Sequence, residues 1–181
     1  MHTRNETVVA APPGPCLEAA RDVERWPEIL PHYRDVRFLR RDGPGRGRVR
    51  MSATRDFGPL PWPTWWESEM VTDEEAGQIR YRHVDGITRG MDVLWELRPL
   101  EEEPGPIRRT AGAPRTRVVI LHDWEGPAWP LIGGFAARRV IGPHFVKVIA
   151  DRTLAGIRRS VEAEWSGQTE APPAADDGNG T

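Results

Sequence analysis

The chain has 181 residues with 38% hydrophobic and 29% charged side chains, a balance that suits one globular domain able to bury its own core. Its formal charge of −2 excludes a strong nucleic-acid footprint, and its single cysteine, Cys16, excludes an internal disulfide. No apolar run follows the opening Met-His-Thr-Arg, and none approaches the ~20 residues that cross a bilayer. A cytoplasmic protein without signal peptide or integral membrane segment is therefore expected.

Residues 6–11 (ETVVAA) form a β-branched run that stops at Pro12-Pro13, which predicts a strand and a breaker. Residues 15–25 are helical in composition, and residues 28–33 fit a second short helix between Pro27 and Pro31. Strands are expected at 34–41 and 47–57, joined by a turn at Asp42-Gly43-Pro44-Gly45. In the second of these Val49, Met51 and Ala53 alternate with Arg48, Arg50 and Ser52. Pro-rich residues 59–63 are read as an interruption, with a strand resuming at 64–72. Further strands are expected at 78–84, 90–100 and 116–125, the first two separated by Asp85-Gly86 and the last two by an acidic Pro/Gly-rich loop at 101–114.

The last element has a different period. Val146, Ala150, Leu154, Ile157 and Val161 recur at gaps of four, four, three and four, one face of a helix over residues 143–164. Phe145, Val148 and Ile149 are expected to widen that face. Residues 166–181 carry three acids and no base among Pro, Ala and Gly, and are read as a disordered tail following a domain of residues 1–165. Strands followed by one long amphipathic helix make an α+β domain, in which a sheet covering a single helix curls around it.

The stretch Asp22-Val23-Glu24-Arg25-Trp26-Pro27-Glu28, followed by Pro31-His32-Tyr33, resembles the D-x-E-x-W-P…Y signature of the polyketide cyclase/aromatase branch of the START-like superfamily. Trp95 in a W-x-L-x-P setting and the late His122-Asp123 pair extend the likeness. The resemblance implies a helix-grip fold, a curved antiparallel sheet around the long C-terminal helix with two short N-terminal helices. It also implies a hydrophobic pocket in which a poly-β-keto chain is folded for aldol closure and dehydration. The implied partners are an acyl-carrier-bound or free hydrophobic substrate and, transiently, a polyketide synthase. Such cyclases often carry an arginine in the strand matching residues 64–72, where this chain has Met70.

An aldol closure needs a held chain, a base for an α-proton and a donor for the developing oxyanion. Alternation along the strands groups Trp66, Ser68 and Met70, then Ile79, Tyr81 and His83, then Met91, Val93 and Trp95, then Val118, Ile120, His122 and Trp124. His83 and His122 are the acid/base candidates, with Tyr33 from the motif and Arg55, which shares a face with Met51 and Ala53. The ligand-binding candidates are Trp66, Ser68, Met70, Tyr81, Met91, Trp95 and Trp124, with Trp129, Phe145 and Ile149 from the segment before the helix and its first turn. An ordinary sheet histidine satisfied by a neighbour is the competing reading for either histidine. A carrier of a quinone, lipid or finished polyketide would need the same pocket without an acid/base pair. The five histidines show no metal-ligand spacing, so neither metal nor cofactor is expected, and Cys16 reads as an inert buried thiol.

Overall fold

The computed structural model describes residues 1–57, 60–100, 113–126 and 146–170, with side chains omitted at 55–57, 60–63 and 168–170. Seven antiparallel strands form one curved sheet: β1 His2–Val9, β2 Tyr33–Gly43, β3 Arg46–Phe57, β4 Leu60–Asp73, β5 Gln78–Gly86, β6 Asp92–Pro99 and β7 Thr116–Asp123. Their spatial order is β1-β7-β6-β5-β4-β3-β2. Between β1 and β2 come α1 Pro13–Arg21, a 3-10 turn Val23–Arg25 and α2 Trp26–Ile29. The chain's long helix, α3 Lys147–Glu170, lies on the concave face, where Val146, Ala150, Leu154, Ile157 and Val161 are all buried. This is the helix-grip arrangement that the element order implies.

Several boundaries move for identifiable reasons. β1 begins at His2 rather than residue 6, because every residue to Val9 is paired with β7 and the inward polar side chains find partners. Thr3 meets His122, and Asn5 donates to Asp151 at 2.6 Å. Residues 59–63 do not interrupt β4: Pro61 and Pro63 are in register with Asp56 and Thr54. These prolines lie two apart, so their nitrogens face one edge, and pairing to β5 begins only at Trp66. That leaves one edge of residues 60–65 without a ladder for proline to break.

Asp85-Gly86 is not the β5–β6 turn either. β5 runs through Gly86, which pairs with Trp66, and its register against β4 shifts at Val84, between the Glu67–Asp85 and Ser68–His83 pairs; the turn follows at residues 87–90. Gly86 adopts φ +87°, and a Cβ there would sit 2.4 Å from the Trp65 carbonyl oxygen, so the glycine permits the close approach of the two backbones at the end of β5. On α3, Val148 is exposed and does not widen the buried face, while the helix continues to Glu170, past residue 165. The expected helix start at Pro143, Phe145 and most of the loop at 101–114 lie outside the described residues.

The alternation on β4 places Trp66, Ser68 and Met70 inward and leaves Trp65 half-exposed outside. Glu67 also points outward, but Arg48 closes over it at 2.7 Å and buries its carboxylate. On the helix, Gly156 is a notch: a Cβ there would stand 2.1 Å from Leu30 Cδ2. Leu30 fills that notch with no exposed surface, which ties the segment between α2 and β2 to α3.

Candidate functional site

The inner face of the sheet and the first two turns of α3 do not close completely. Between them is a cavity of about 70 Å³, room for a few waters. Period-two alternation delivers its sheet walls: Trp66 from β4, Tyr81 and His83 from β5, Val93 and Trp95 from β6, Ile120 and His122 from β7. Val146, Ile149, Ala150 and Thr153 close it from α3, one helical face at spacings of three and four. Trp26, Tyr33, Met51, Thr88 and Met91 complete the lining, and none of these described residues carries a formal charge at neutral pH.

Five rings form a continuous wall. Trp95 lies 5.8 Å from Trp26, Trp26 5.1 Å from Tyr33, Tyr33 6.1 Å from Trp66, and Trp66 stacks on His83 at 6.0 Å and 17°. Such rings bring large area and fixed shape. Trp26 is fixed in turn by its indole N–H, which donates to the Ala19 carbonyl at 3.1 Å. The W-P…H-Y motif thus serves the cavity through Trp26 and Tyr33, and Leu30 in the Gly156 notch sets its approach to α3.

Three histidines surround this space, each against a threonine hydroxyl. His83 Nδ1 is 2.6 Å from Thr88 Oγ1, His122 Nδ1 is 3.2 Å from Thr3 Oγ1, and His32 Nε2 is 3.0 Å from Thr153 Oγ1. Burial pushes all three below the usual imidazole range. His83 falls to about 3, with His122 and Arg82 adding to the effect of burial. His122 falls to about 4 through burial, and His32 to about 4 through burial and the charge of Arg152. All three are neutral at pH 7.

The tyrosines move the other way. Burial raises Tyr33 to about 12 and Tyr81 well above its ordinary value, so both hydroxyls keep their protons. Tyr81 Oη is buried with no hydrogen-bond partner among the described residues. A buried hydroxyl costs about 1–3 kcal/mol when its hydrogen bonds are unmade, so this one calls for a ligand or a water.

The sequence-predicted residues divide accordingly. Tyr33, Trp66, Tyr81, His83, Met91, Trp95, His122 and Ile149 all line the cavity. Ser68 and Met70 do not: both are wholly buried on the inner face of β4, across the ladder from His83 and Tyr81. Trp124 also stays out of the lining; it is buried at the end of β7 with its indole N–H donating to the Arg89 carbonyl at 3.0 Å. The Arg55 side chain, Trp129 and Phe145 lie outside the described residues. Asp92 and Asp123 face the outer side, paired with Arg82 and with His2.

Sequence reasoning missed Thr88 and Thr153 as cavity residues. Thr153 was within reach, being three residues from Ala150 on the predicted stripe. Thr88 sits in a turn and has no periodic signal. Cys16 is buried, and burial first of all lifts its thiol to about 11, which keeps it protonated and inert. Among the described residues no cluster of His, Cys, Asp and Glu is placed to hold a metal ion, and no helix is long and apolar enough to cross a membrane.

Residues 9–142 match the family model described as polyketide cyclase / dehydrase and lipid transport. The chain belongs to this family. A Streptomyces halstedii protein provisionally named a polyketide cyclase is 35% identical over 95 residues, which cover 52% of this chain and 84% of that one. Among solved structures, a protein from Thermus thermophilus superposes with a TM-score of 0.70 at 22% identity, covering 91% of this chain and 99% of its own. The Zhui aromatase/cyclase from Streptomyces sp. R1128 gives a TM-score of 0.65 at 22% identity, with coverage of 94% and 96%. At such identities the two structures speak for the fold, and the family match carries the kinship of sequence.

Proposed function

We propose that this family member is a polyketide cyclase/aromatase that folds a poly-β-keto chain, or a related aromatic intermediate, and promotes aldol closure and dehydration without a cofactor. The observation that carries the reading is the cavity's chemistry. Two neutral histidines, two protonated tyrosines and the hydroxyls of Thr88 and Thr153 interrupt an otherwise apolar lining rich in aromatic rings, and one of those tyrosine hydroxyls lacks a partner among the described residues. The kinship with proteins named as polyketide cyclases supports it.

A neutral imidazole takes an α-proton from a methylene between two ketones, and the enolate carbon attacks a second ketone in the same chain. The oxygen of that ketone becomes an alkoxide and accepts hydrogen bonds from Tyr81, Tyr33 or a histidine N–H, then receives the proton back. Loss of water from the resulting alcohol conjugates the ring. Because the donors are neutral, they suit ketones and phenols, whose burial requires no counter-charge. Ligand pockets of drug size run to roughly 300 Å³ or more, so binding requires the walls to give. Met51 and Met91, unbranched and pliable, are the lining side chains most able to do so. The substrate arrives as an acyl-carrier-bound chain through transient contact with a polyketide synthase in the cytoplasm.

The test is reconstitution with a synthase that supplies the nascent chain. The reading predicts that adding the protein changes the regiochemistry of the aromatic products. Identical products with and without it would overturn the cyclase assignment, and retained binding of aromatic ligands would then favour a carrier.

A further inference from the structure

His83 and His122 both line the cavity, but the threonines behind them are not equivalent. Thr88 is buried, and its hydroxyl has the His83 ring nitrogen as its one hydrogen-bond partner among the described residues, at 2.6 Å. A hydroxyl has one proton to place. If His83 Nδ1 carried a proton toward Thr88, the threonine proton would be left without an acceptor among the described residues, which is costly for a hydroxyl on a side chain only 2% exposed. If Thr88 donates to Nδ1, both groups are satisfied.

The other two pairs show what the alternatives look like. Thr153 donates its proton to the Ile149 carbonyl at 2.8 Å, so its oxygen accepts and His32 must carry its proton on Nε2. Thr3 is only partly buried, so water can take its proton and leave its oxygen to accept from His122 Nδ1. That arrangement, open to His122 and not to His83, leaves the Nε2 of His122 as a lone pair, while the Thr88 donation leaves a hydrogen on the Nε2 of His83.

We propose that Thr88 is a positioning residue, holding His83 in the Nε2–H tautomer so that the ring donates a hydrogen bond to a ligand carbonyl oxygen while His122 is the base. The tautomer stands on geometry alone, and the chemical role rests on the cyclase reading above. In the aldol step His122 Nε2 takes the α-proton, the enolate carbon bonds to the acceptor ketone carbon, and that ketone's C=O π bond opens to an alkoxide. His83 Nε2–H donates to this oxygen, and the proton held by His122 is then delivered to it, so protons balance.

The turn is built to keep Thr88 in place. The His83 amide donates to the Met91 carbonyl and the Gly90 amide returns to the His83 carbonyl, both at 2.9 Å, and Trp124 clamps Arg89. Gly90 supplies the φ of +87° that the turn requires. Burial keeps His83 uncharged at ordinary pH, as a neutral donor must be.

The experiment is ring ¹⁵N NMR on the full chain at neutral pH, which needs no substrate. His83 should show a protonated Nε2 and a bare Nδ1. Thr88→Val, equal in shape but lacking the hydroxyl, should shift the ring toward the Nδ1–H form, and Thr88→Ser should restore the wild-type pattern. A wild-type ring protonated on Nδ1, or a Thr88→Val spectrum unchanged from wild type, would overturn the proposal. In the reconstituted reaction Thr88→Val should lower kcat about tenfold with little change in KM, and Thr88→Ser should rescue it. If the tautomer shifts in Thr88→Val yet turnover holds, the donor role is wrong. A wild-type protein that leaves products unchanged defeats the cyclase reading while the NMR still decides the tautomer.

Discussion

The interior has two ends lined by the same strands and the same helix, one solid and the other hollow. In the solid end Leu97 faces Val118 across the ladder, and they share the buried core with Leu154, Ile157 and Val161 of α3, all of them aliphatic. Two residues along the ladder Trp95 meets Ile120, and two further Val93 meets His122, where the cavity lies under Val146, Ile149 and Ala150. Aliphatic side chains interdigitate to close packing, whereas large flat rings held at fixed tilts leave space between them. The hollow end thus gives up packing for a shaped opening, and the solid end must hold the fold while it does so.

Truncation should separate the ends most strongly. Ile157→Ala, at a position with no freedom to collapse, should cost about 2–5 kcal/mol in denaturant unfolding. Binding of an aromatic probe such as 1-naphthol, followed by quenching of the cavity tryptophans, should be unchanged per folded molecule. A loss of affinity comparable to the loss of stability would show that the ends are not independent.

Acidification should act on the hollow end. The folded-state values of His32 and His83 lie below the ordinary imidazole value, near 4 and 3, so the unfolded chain binds protons that the folded chain refuses. Stability is therefore fully present above about pH 6.5 and falls as pH drops toward 4, by about 2 kcal/mol for each histidine at pH 5. Chemical unfolding at a series of pH values should show this slope, and His83→Gln should reduce it by the share of His83, leaving the contributions of His32 and His122. An equal slope in that variant would place the acid sensitivity elsewhere.

Gly156→Ala probes the junction between the ends, because the added methyl meets Leu30. Overpacking of this kind costs roughly 1–3 kcal/mol and should loosen the Leu30–Tyr33 stretch. Thermal melts should fall accordingly, and probe affinity should drop because Tyr33 and Trp26 line the cavity. The smallest stability effect is expected from Tyr81→Phe. It removes a hydroxyl that has no partner among the described residues, so stability should hold or rise slightly, within about 1 kcal/mol, while affinity for a ketone or phenol falls. A destabilised Tyr81→Phe protein would mean that the hydroxyl is already satisfied.

The periodic positions were the most legible in sequence, and they run through both ends. The α3 stripe from Val146 to Val161 and the Val49-Met51-Ala53 alternation are periodic signals, and both are buried where the period puts them. Local punctuation misled where pairing overrode it. Pro61 and Pro63 sit inside a strand with one unpaired edge, and Gly86 serves a close approach of β5 to β4 rather than the turn. In the hollow end, face-sharing brought six candidate residues to the cavity, beside Tyr33 from the motif and Ile149 from the helix, but could not tell how far along each strand the cavity extends, so Ser68 and Met70 were included although they lie beyond it. Trp124 likewise lies beyond the lining, where its indole meets Arg89, 35 residues away in a turn that carries no periodic signal. Thr88 reaches His83 through the same turn, and only the folded chain reveals it.

The most direct measurement of whether the hollow end does chemistry is a paired assay on a His83→Phe/His122→Phe variant. Affinity for 1-naphthol and the product pattern of the reconstituted synthase would be measured on the same folded preparation. The account predicts retained binding and lost redirection of cyclisation. A double variant that redirects products as the wild type does would contradict it.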